Sequence, residues 1–245
     1  MKIKFGYIFI YICLLLAGAS QQSYAEIRIA TNGTLSPYFI EETDTGIVAD
    51  IIQSVFESMG EKIEFVYMDN NHIQRSLIQR HVTGAFNFPY KKTSRLYYST
   101  PIVQYHNIVV THAESKADFK TLECLANQRV GAFQNARNFM PKNLQTAIPT
   151  FASYVEFANQ REQVKAFLDN RLDAIILEEN IFKYHLNQIF KGKEKPKLKE
   201  HHIFEKTDRH TVFLSKELRD KFNRHLSAFR KTPEHQKIFD KYLNQ

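Results

Sequence analysis

The chain has 245 residues, of which 43% are apolar and 24% charged, and its formal net charge is +7 at pH 7. The basic residues are scattered and form no block interleaved with aromatic side chains, which argues against a nucleic-acid-binding surface. The ~220 residues that follow the first 25 are enough to bury one large core or two modest ones.

The first 25 residues have the layout of a secretory signal peptide. Lys2 and Lys4 precede an apolar run from Phe5 to Ala17, and Ser23-Tyr24-Ala25 is a small-x-small cleavage pattern. The run of about thirteen apolar residues is shorter than the roughly twenty that span a bilayer. We therefore predict cleavage after Ala25 and a soluble mature chain in the periplasm.

Strands and helices alternate in the first part of the mature chain. Ile27–Ala30 is predicted as a strand, and a turn-prone loop follows it at 32–37. From Gly46 to Met59, apolar side chains recur at helical spacing. The elements predicted next are a strand at 63–67, a helix at 73–80, a strand at 84–88 and a strand at 107–111. This order predicts a mostly parallel sheet with helices on both faces.

The same alternation restarts near Phe119. The predicted elements are a helix there, a strand at 129–133, a loop at 135–137 that leads into a helix, a helix at 162–170, a strand at 172–177, a charged loop at 191–200, a strand at 211–214 and a helical region at 216–243 interrupted at Thr232-Pro233. The pattern predicts two similar α/β halves, with the C-terminal segment returning to one of them.

Four segments carry a resemblance to a known family. They are Ile27–Tyr38 continued by Gly46–Ile51, then Thr93–Ile102, Val130–Ala132 and Asn170–Ile176. In order and spacing they resemble family 3 of the bacterial extracellular solute-binding proteins, the polar amino-acid binders. The resemblance implies a type II periplasmic binding protein fold, in which two lobes are joined by a two-strand hinge.

The implied lobes are residues 26–108 with 205–245, and residues 109–204. The ligand of this family binds in the cleft between the lobes, at the carboxyl ends of the strands. An amino-acid site needs a fixed cation, several N–H donors and a carboxylate. The resemblance places Arg95 on the ligand carboxylate and Glu178 on its ammonium group, with Glu179 as a competing candidate.

Further ligand contacts are expected at Tyr38, as an aromatic wall, and at Asn32, Thr93, Asn135 and Arg137. The alternatives are a surface position for Arg95, a core position for Tyr38 and a helix N-terminal acid for Glu178. Thr-x-Arg is one residue shorter than the family's Thr-x-x-Arg. Asn32 stands where binders of basic amino acids commonly carry an acid, which argues against a basic ligand.

Two loops depart from the family pattern. Residues 88–91, Phe-Pro-Tyr-Lys, replace hydroxyl donors, and Asn135-Ala136-Arg137 replaces Gly-Thr-Thr. If the second loop opens a helix, its N–H groups can hold an anion and Arg137 adds positive charge. Together with Lys91 and Arg95, this arrangement would suit an acidic or otherwise anionic solute.

We therefore predict a monomer that binds a small polar solute by hinge closure, for delivery to an ABC-type permease. A soluble receptor for a membrane sensor is the alternative among binding proteins. An enzyme resembling cyclohexadienyl dehydratase on the same scaffold, with Glu178 as acid or base, is the other alternative. The sequence shows no nucleophile–base pattern, phosphate loop or metal-ligand spacing, so no catalytic residue, cofactor or metal is predicted.

Overall fold

The computed structural model describes residues 26–33, 35–86, 95–115 and 120–244, with the side chains of Asn70 and Asn71 excepted. Two five-stranded sheets are each covered by helices and form two lobes. Among the helices described, none has the length and apolar character required to cross a membrane. The predicted signal peptide lies outside the described residues.

The first sheet contains strands from both ends of the mature chain. They are β1 (Ile27–Thr31), β2 (Ile63–Tyr67), β3 (Gly84–Phe86), β4 (Tyr97–Tyr98) and β12 (Thr211–Phe213). Their order is β2-β1-β3-β12-β4. β1 is parallel to β2 and β3, whereas β12 is antiparallel to β3 and β4. The chain therefore leaves this sheet after β4 and returns to it in β12.

The second sheet repeats this arrangement. Its strands are β6 (Asn107–His112), β7 (Arg129–Phe133), β8 (Ser153–Phe157), β9 (Ala174–Glu178) and β10 (Leu198–His201). Their order is β10-β6-β9-β7-β8, with β7 parallel to β8 and β9, and β6 antiparallel to β9 and β10. Each sheet thus has four strands that run in one direction and one antiparallel strand, β12 or β6, that enters from the other lobe.

Two short strands connect the lobes. β5 (Val103–Tyr105) lies between β4 and β6, and β11 (Thr207–Arg209) lies between β10 and β12. They pair antiparallel with each other in a sheet of their own. The chain therefore crosses between the lobes twice, and the two crossings are hydrogen-bonded together. This architecture confirms the predicted two-lobed α/β fold with a two-strand connection.

Helices cover both sheets. Those of the first lobe are α1 (Ile47–Ser58), α2 (Asn70–Ile78), α7 (Lys216–Phe229) and α8 (Pro233–Leu243), and those of the second are α3 (Ala136–Phe139), α4 (Lys142–Ala147), α5 (Gln160–Leu168) and α6 (Glu179–Ile189). The predicted break before α8 is confirmed, because Pro233 occupies the first turn, where its missing N–H costs nothing. The lobes also touch where the Asn187 side-chain amide of α6 donates to the Leu243 carbonyl at 2.9 Å.

Aromatic side chains dominate part of the core of the first lobe. Phe56 of α1, Phe213 of β12 and Phe222 of α7 lie with their ring centroids 5.1–6.3 Å apart. All three are fully buried, and each such burial stabilises the fold by about 1.5–3 kcal/mol. The C-terminal segment therefore belongs to the first lobe through packing as well as through β12.

Three details of the predicted element order need correction. The strand predicted at 107–111 is β6 of the second sheet, so the predicted lobe boundary after residue 108 falls inside a strand. The charged loop predicted at 191–200 ends in β10, which among the strands that the structure describes pairs with β6 alone and lies at the edge of the sheet, where charged side chains are common. Near the helix predicted at Phe119, which itself lies outside the described residues, the structure has a short 3-10 turn at Leu122–Leu125.

Candidate functional site

Glu178 is the last residue of β9 and the N-cap of α6. Its Oε2 accepts hydrogen bonds from the N–H groups of Asn180 at 2.9 Å and Ile181 at 3.0 Å. Its Oε1 accepts one from the N–H of His106 at 3.2 Å. The residue is only 4% exposed. The carboxylate therefore joins the start of α6 to the end of the β5 crossing.

Tyr38 of the first lobe lies against this carboxylate, so these two predicted site residues come together. Its hydroxyl oxygen accepts a hydrogen bond from the Asn180 side-chain amide at 3.0 Å, and its ring centroid is 4.6 Å from that of Tyr105. The hydroxyl also forms a hydrogen bond with Glu178. Tyr38 is fully buried. It therefore lies at the interlobe face and also belongs to the hydrophobic core of the first lobe.

The protonation of Glu178 is set chiefly by its burial. Desolvation raises the pKa of this carboxyl group to about 7, although hydrogen bonds from the backbone of Ile181 and His106 and from Tyr38 lower it. The same burial, together with the nearby Glu178 charge, raises the pKa of Tyr38 well above its usual value. A cation placed beside Glu178 would favour the ionised carboxylate.

The structure does not connect Arg95 with this pair. Arg95 is exposed, Asn32 is partly buried just after β1, and Thr93 lies outside the described residues. Within the part of the chain that is described, no hydrogen bond or ion pair joins Arg95 to Tyr38 or Glu178. The expected roles of Arg95, Asn32 and Thr93 at a ligand stay predictions.

The loop before α3 binds an anion, but that anion is a side chain of the protein. The N–H groups of Asn135 and Arg137 donate to the two carboxylate oxygens of Glu156 at 2.8 and 2.9 Å. The Tyr154 hydroxyl adds a third hydrogen bond at 2.9 Å, and the Arg137 guanidinium lies 5.6 Å from the Tyr154 ring centroid. Burial raises the pKa of Glu156, but these donors and the Arg137 charge outweigh it, and the net pKa is lowered.

An open cavity of about 440 Å³ lies between the lobes. The first lobe lines it with the loop after β1, including Ser36 and Glu42, and the second lobe with Arg161 of α5 and Tyr184 and His185 of α6. Its volume falls within the range of small-molecule sites. Burial lowers the pKa of His185 to about 4, so that side chain is neutral at pH 7. Glu42 and Arg161 place opposite charges on the walls supplied by different lobes.

The sequence analysis missed three residues. They are Asn180, which contacts Tyr38, Glu156, which binds the loop before α3, and Arg161, which lines the cavity. Asn180 had one local signal, because it lies in the first turn of the helix that Glu178 begins. Glu156 had no local signal, because its partner Arg137 is 19 residues away in the sequence. Arg161 had none either, because the cavity wall that it faces belongs to the other lobe.

Comparison with known proteins gives a family and a fold. The family model for the bacterial extracellular solute-binding proteins, family 3, matches residues 27–245. No curated protein matches the sequence significantly.

Many solved structures resemble the chain. One is an ABC uptake transporter substrate-binding protein from Streptococcus pneumoniae with bound histidine, 16% identical, with a TM-score of 0.69 over 90% of this chain and 93% of that one. Another is an ancestral arginine-binding protein bound to arginine, 20% identical, with a TM-score of 0.65 over 89% and 97%. A third is an ancestral amino acid-binding protein, a precursor of cyclohexadienyl dehydratase, 15% identical, with a TM-score of 0.67 over 89% and 95%. At these identities the likeness establishes the shared two-lobed fold.

Proposed function

The chain belongs to family 3 of the bacterial extracellular solute-binding proteins, and from this premise we propose that it binds an amino acid or a related small organic acid between its lobes. Binding closes the lobes about the crossing strands, in the periplasm, and the closed protein delivers its solute to an ABC-type permease. The lobes follow the division predicted from the sequence, residues 26–108 with 205–245 and residues 109–204, except that the whole of β6 belongs to the second lobe.

The meeting of polar side chains from both lobes beside the two crossing strands carries this proposal. Tyr38 of the first lobe contacts Asn180 of the second, next to the buried Glu178. A solute that touches both lobes binds the closed arrangement more tightly than the open one, and only that difference in affinity can drive closure. Within the described residues, β5 and β11 are the two places where the chain crosses between the sheets, so they form a narrow joint about which the lobes can rotate.

The charges at this face suit a zwitterionic or acidic solute. Glu178 lies in the second lobe and, when ionised, can bind the ammonium group of the solute. The solute carboxylate then needs a guanidinium, for which Arg95 follows from the sequence and Arg161 from the cavity wall. The amides of Asn135 and Arg137 are available to a solute only if Glu156 moves away.

Thermal unfolding of residues 26–245 against amino acids, small organic acids and short peptides tests the proposal. A ligand present at about 100 times its dissociation constant should raise the free energy of unfolding by about 2.7 kcal/mol. Arg95→Gln and Arg161→Gln are the informative variants. Arg171→Gln is the matched control, because Arg171 is an exposed arginine in the loop that follows α5.

The variant that abolishes the stabilisation identifies the arginine at the ligand carboxylate, while Arg171→Gln should respond like the unmodified chain. Small-angle scattering of the liganded protein should show a smaller radius of gyration if the unliganded lobes spend time apart. A panel in which no amino acid or organic acid stabilises the fold would contradict the proposal.

One observation favours an enzyme as the second candidate. A buried carboxyl group whose pKa is about 7 can give or take a proton at neutral pH, as a dehydratase-like reaction needs. Against this role, both oxygens of Glu178 already accept backbone hydrogen bonds. Conversion of an aromatic acid by the purified chain, lost in Glu178→Gln, would place the enzyme first.

A further inference from the structure

Three side chains that suit a metal ion converge beside the crossing strands. His106 lies between β5 and β6, Glu179 is the first residue of α6, and His202 follows β10. Glu179 Oε2 lies 3.3 Å from His106 Nδ1 and 3.6 Å from His202 Nε2. All three residues offer ligand atoms within 4.8 Å of one another. Ligands of a tetrahedral ion with bonds of about 2.1 Å are about 3.4 Å apart, so two of the three separations already match.

The hydrogen bond on the far side of the His106 ring fixes which nitrogen is free. Nε2 lies 3.1 Å from the Phe204 carbonyl oxygen, which can only accept, so Nε2 carries the proton. In the neutral ring Nδ1 then directs a lone pair toward the Glu179 carboxylate. Two acceptors this close repel each other unless a second ring proton or a metal ion lies between them. A backbone carbonyl behind the ring is also how proteins orient metal-binding histidines.

Glu179 is oriented in a similar way from two directions. Its other carboxylate oxygen, Oε1, accepts a hydrogen bond from the Lys183 ammonium, which leaves Oε2 for the histidines. Its backbone N–H donates to the His106 carbonyl at 2.9 Å. Lys183 is itself 3.9 Å from Glu200, so its charge is shared between two acids.

The cluster combines two enclosed ligands with one accessible ligand. The side chains of His106 and Glu179 are 15% and 22% exposed, whereas His202 is 46% exposed and its ring lies 4.8 Å from that of His106. An ion can therefore enter from the His202 side, where water can supply the fourth ligand of an open tetrahedral site.

From this geometry we propose that His106, Glu179 and His202 bind a divalent transition-metal ion, with Zn²⁺ as the reference ion. Two imidazoles and one carboxylate are ligands that zinc accepts readily. The ion links the segment after β5, the segment before β11 and the start of α6. Its effect is to stiffen the connection between the lobes, independently of any solute between them.

Calorimetric titration of metal-free residues 26–245 with zinc chloride alone tests this site. One ion should bind per chain, and His106→Gln, Glu179→Gln and His202→Gln should each weaken binding by at least about tenfold. Binding should also weaken as the pH falls, because protons compete for the imidazole nitrogens. His72→Gln is the matched control, since His72 is paired with one acid, Asp69, on the surface and has no second histidine in the pair.

His202→Gln separates loss of zinc binding from misfolding. Because the His202 side chain is exposed, this variant should keep the circular dichroism spectrum of the unmodified chain. Absence of zinc binding to the unmodified chain would overturn the proposal. So would zinc binding that survives His202→Gln, or that is lost equally in His72→Gln. The titration needs no solute, so its outcome is separate from that of the solute panel.

Discussion

Glu178 and Glu179 are adjacent carboxyl groups on two sides of the N-terminus of α6, and their pKa values are shifted in opposite directions. On the side that faces the first lobe, Glu178 is buried beside Tyr38 and its pKa is raised to about 7. On the side of the crossing strands, burial of Glu179 is outweighed by Lys183, His202 and His106, and its pKa is lowered. Neutral hydrogen-bond donors do not offset the deep burial of Glu178, whereas the partial burial of Glu179 is offset chiefly by the Lys183 ammonium. Neighbours in sequence are thereby suited to different tasks, one at the interlobe face and one at the connection.

The largest expected effect is on the pH dependence of stability, through Glu178→Gln. Because folding raises the pKa of Glu178 from 4.5 to about 7, its stabilising contribution is complete below about pH 4.5 and is lost as the pH rises through 7. Relative to the variant, the unmodified chain should lose up to about 3 kcal/mol across this range. Denaturant unfolding at a series of pH values measures the difference.

Comparison with the variant removes the contribution of the other acids, several of which have lowered pKa values and change stability in the opposite sense. Parallel stability curves for the two proteins between pH 4.5 and 7 would mean that Glu178 is ionised throughout. The contrast between the two sides of α6 would then fail.

An intermediate effect is expected from Tyr38→Phe, which removes the hydroxyl that contacts Asn180 and Glu178. The loss should cost about 1 kcal/mol in denaturant unfolding. Because the Tyr38 hydrogen bond lowers the pKa of Glu178, the pH-dependent loss of stability should move to higher pH in this variant. Tyr97→Phe, at an exposed tyrosine of β4, is the control and should change neither quantity. An unshifted pH profile in Tyr38→Phe would exclude that hydrogen bond.

The smallest effect is expected from Glu179→Gln in the metal-free protein. Its partners Lys183 and His202 are 40% and 46% exposed, and such ion pairs contribute about 0.5 kcal/mol. Because folding lowers the pKa of Glu179 from 4.5, that contribution should be complete at pH 7, begin to fall near pH 4.5 and be lost as the pH falls through the lowered folded-state pKa. Urea unfolding at pH 7 and pH 4 checks both statements. A loss as large as that from Tyr38→Phe would show that the carboxylate is buried.

The sequence alone predicted those parts of the molecule that depend on local patterns. Apolar spacing from Gly46 to Met59 predicted α1, Thr232-Pro233 predicted the break before α8, and the alternation of strands and helices predicted two α/β halves. Four short motifs in order then led to the family. These features could be predicted because periodicity, turn chemistry and helix capping act over a few neighbouring residues.

Only the tertiary structure decided which strands and side chains meet. The composition of β6 fits either sheet, and pairing with β9 assigns it to the second. Glu156 binds the amides of Asn135 and Arg137 across about twenty residues. His106, Glu179 and His202 meet although 96 residues separate the first from the last. The pKa of Glu178 likewise depends on how completely both lobes cover it. Burial and long-range contact arise from packing, and no local pattern in the chain records them.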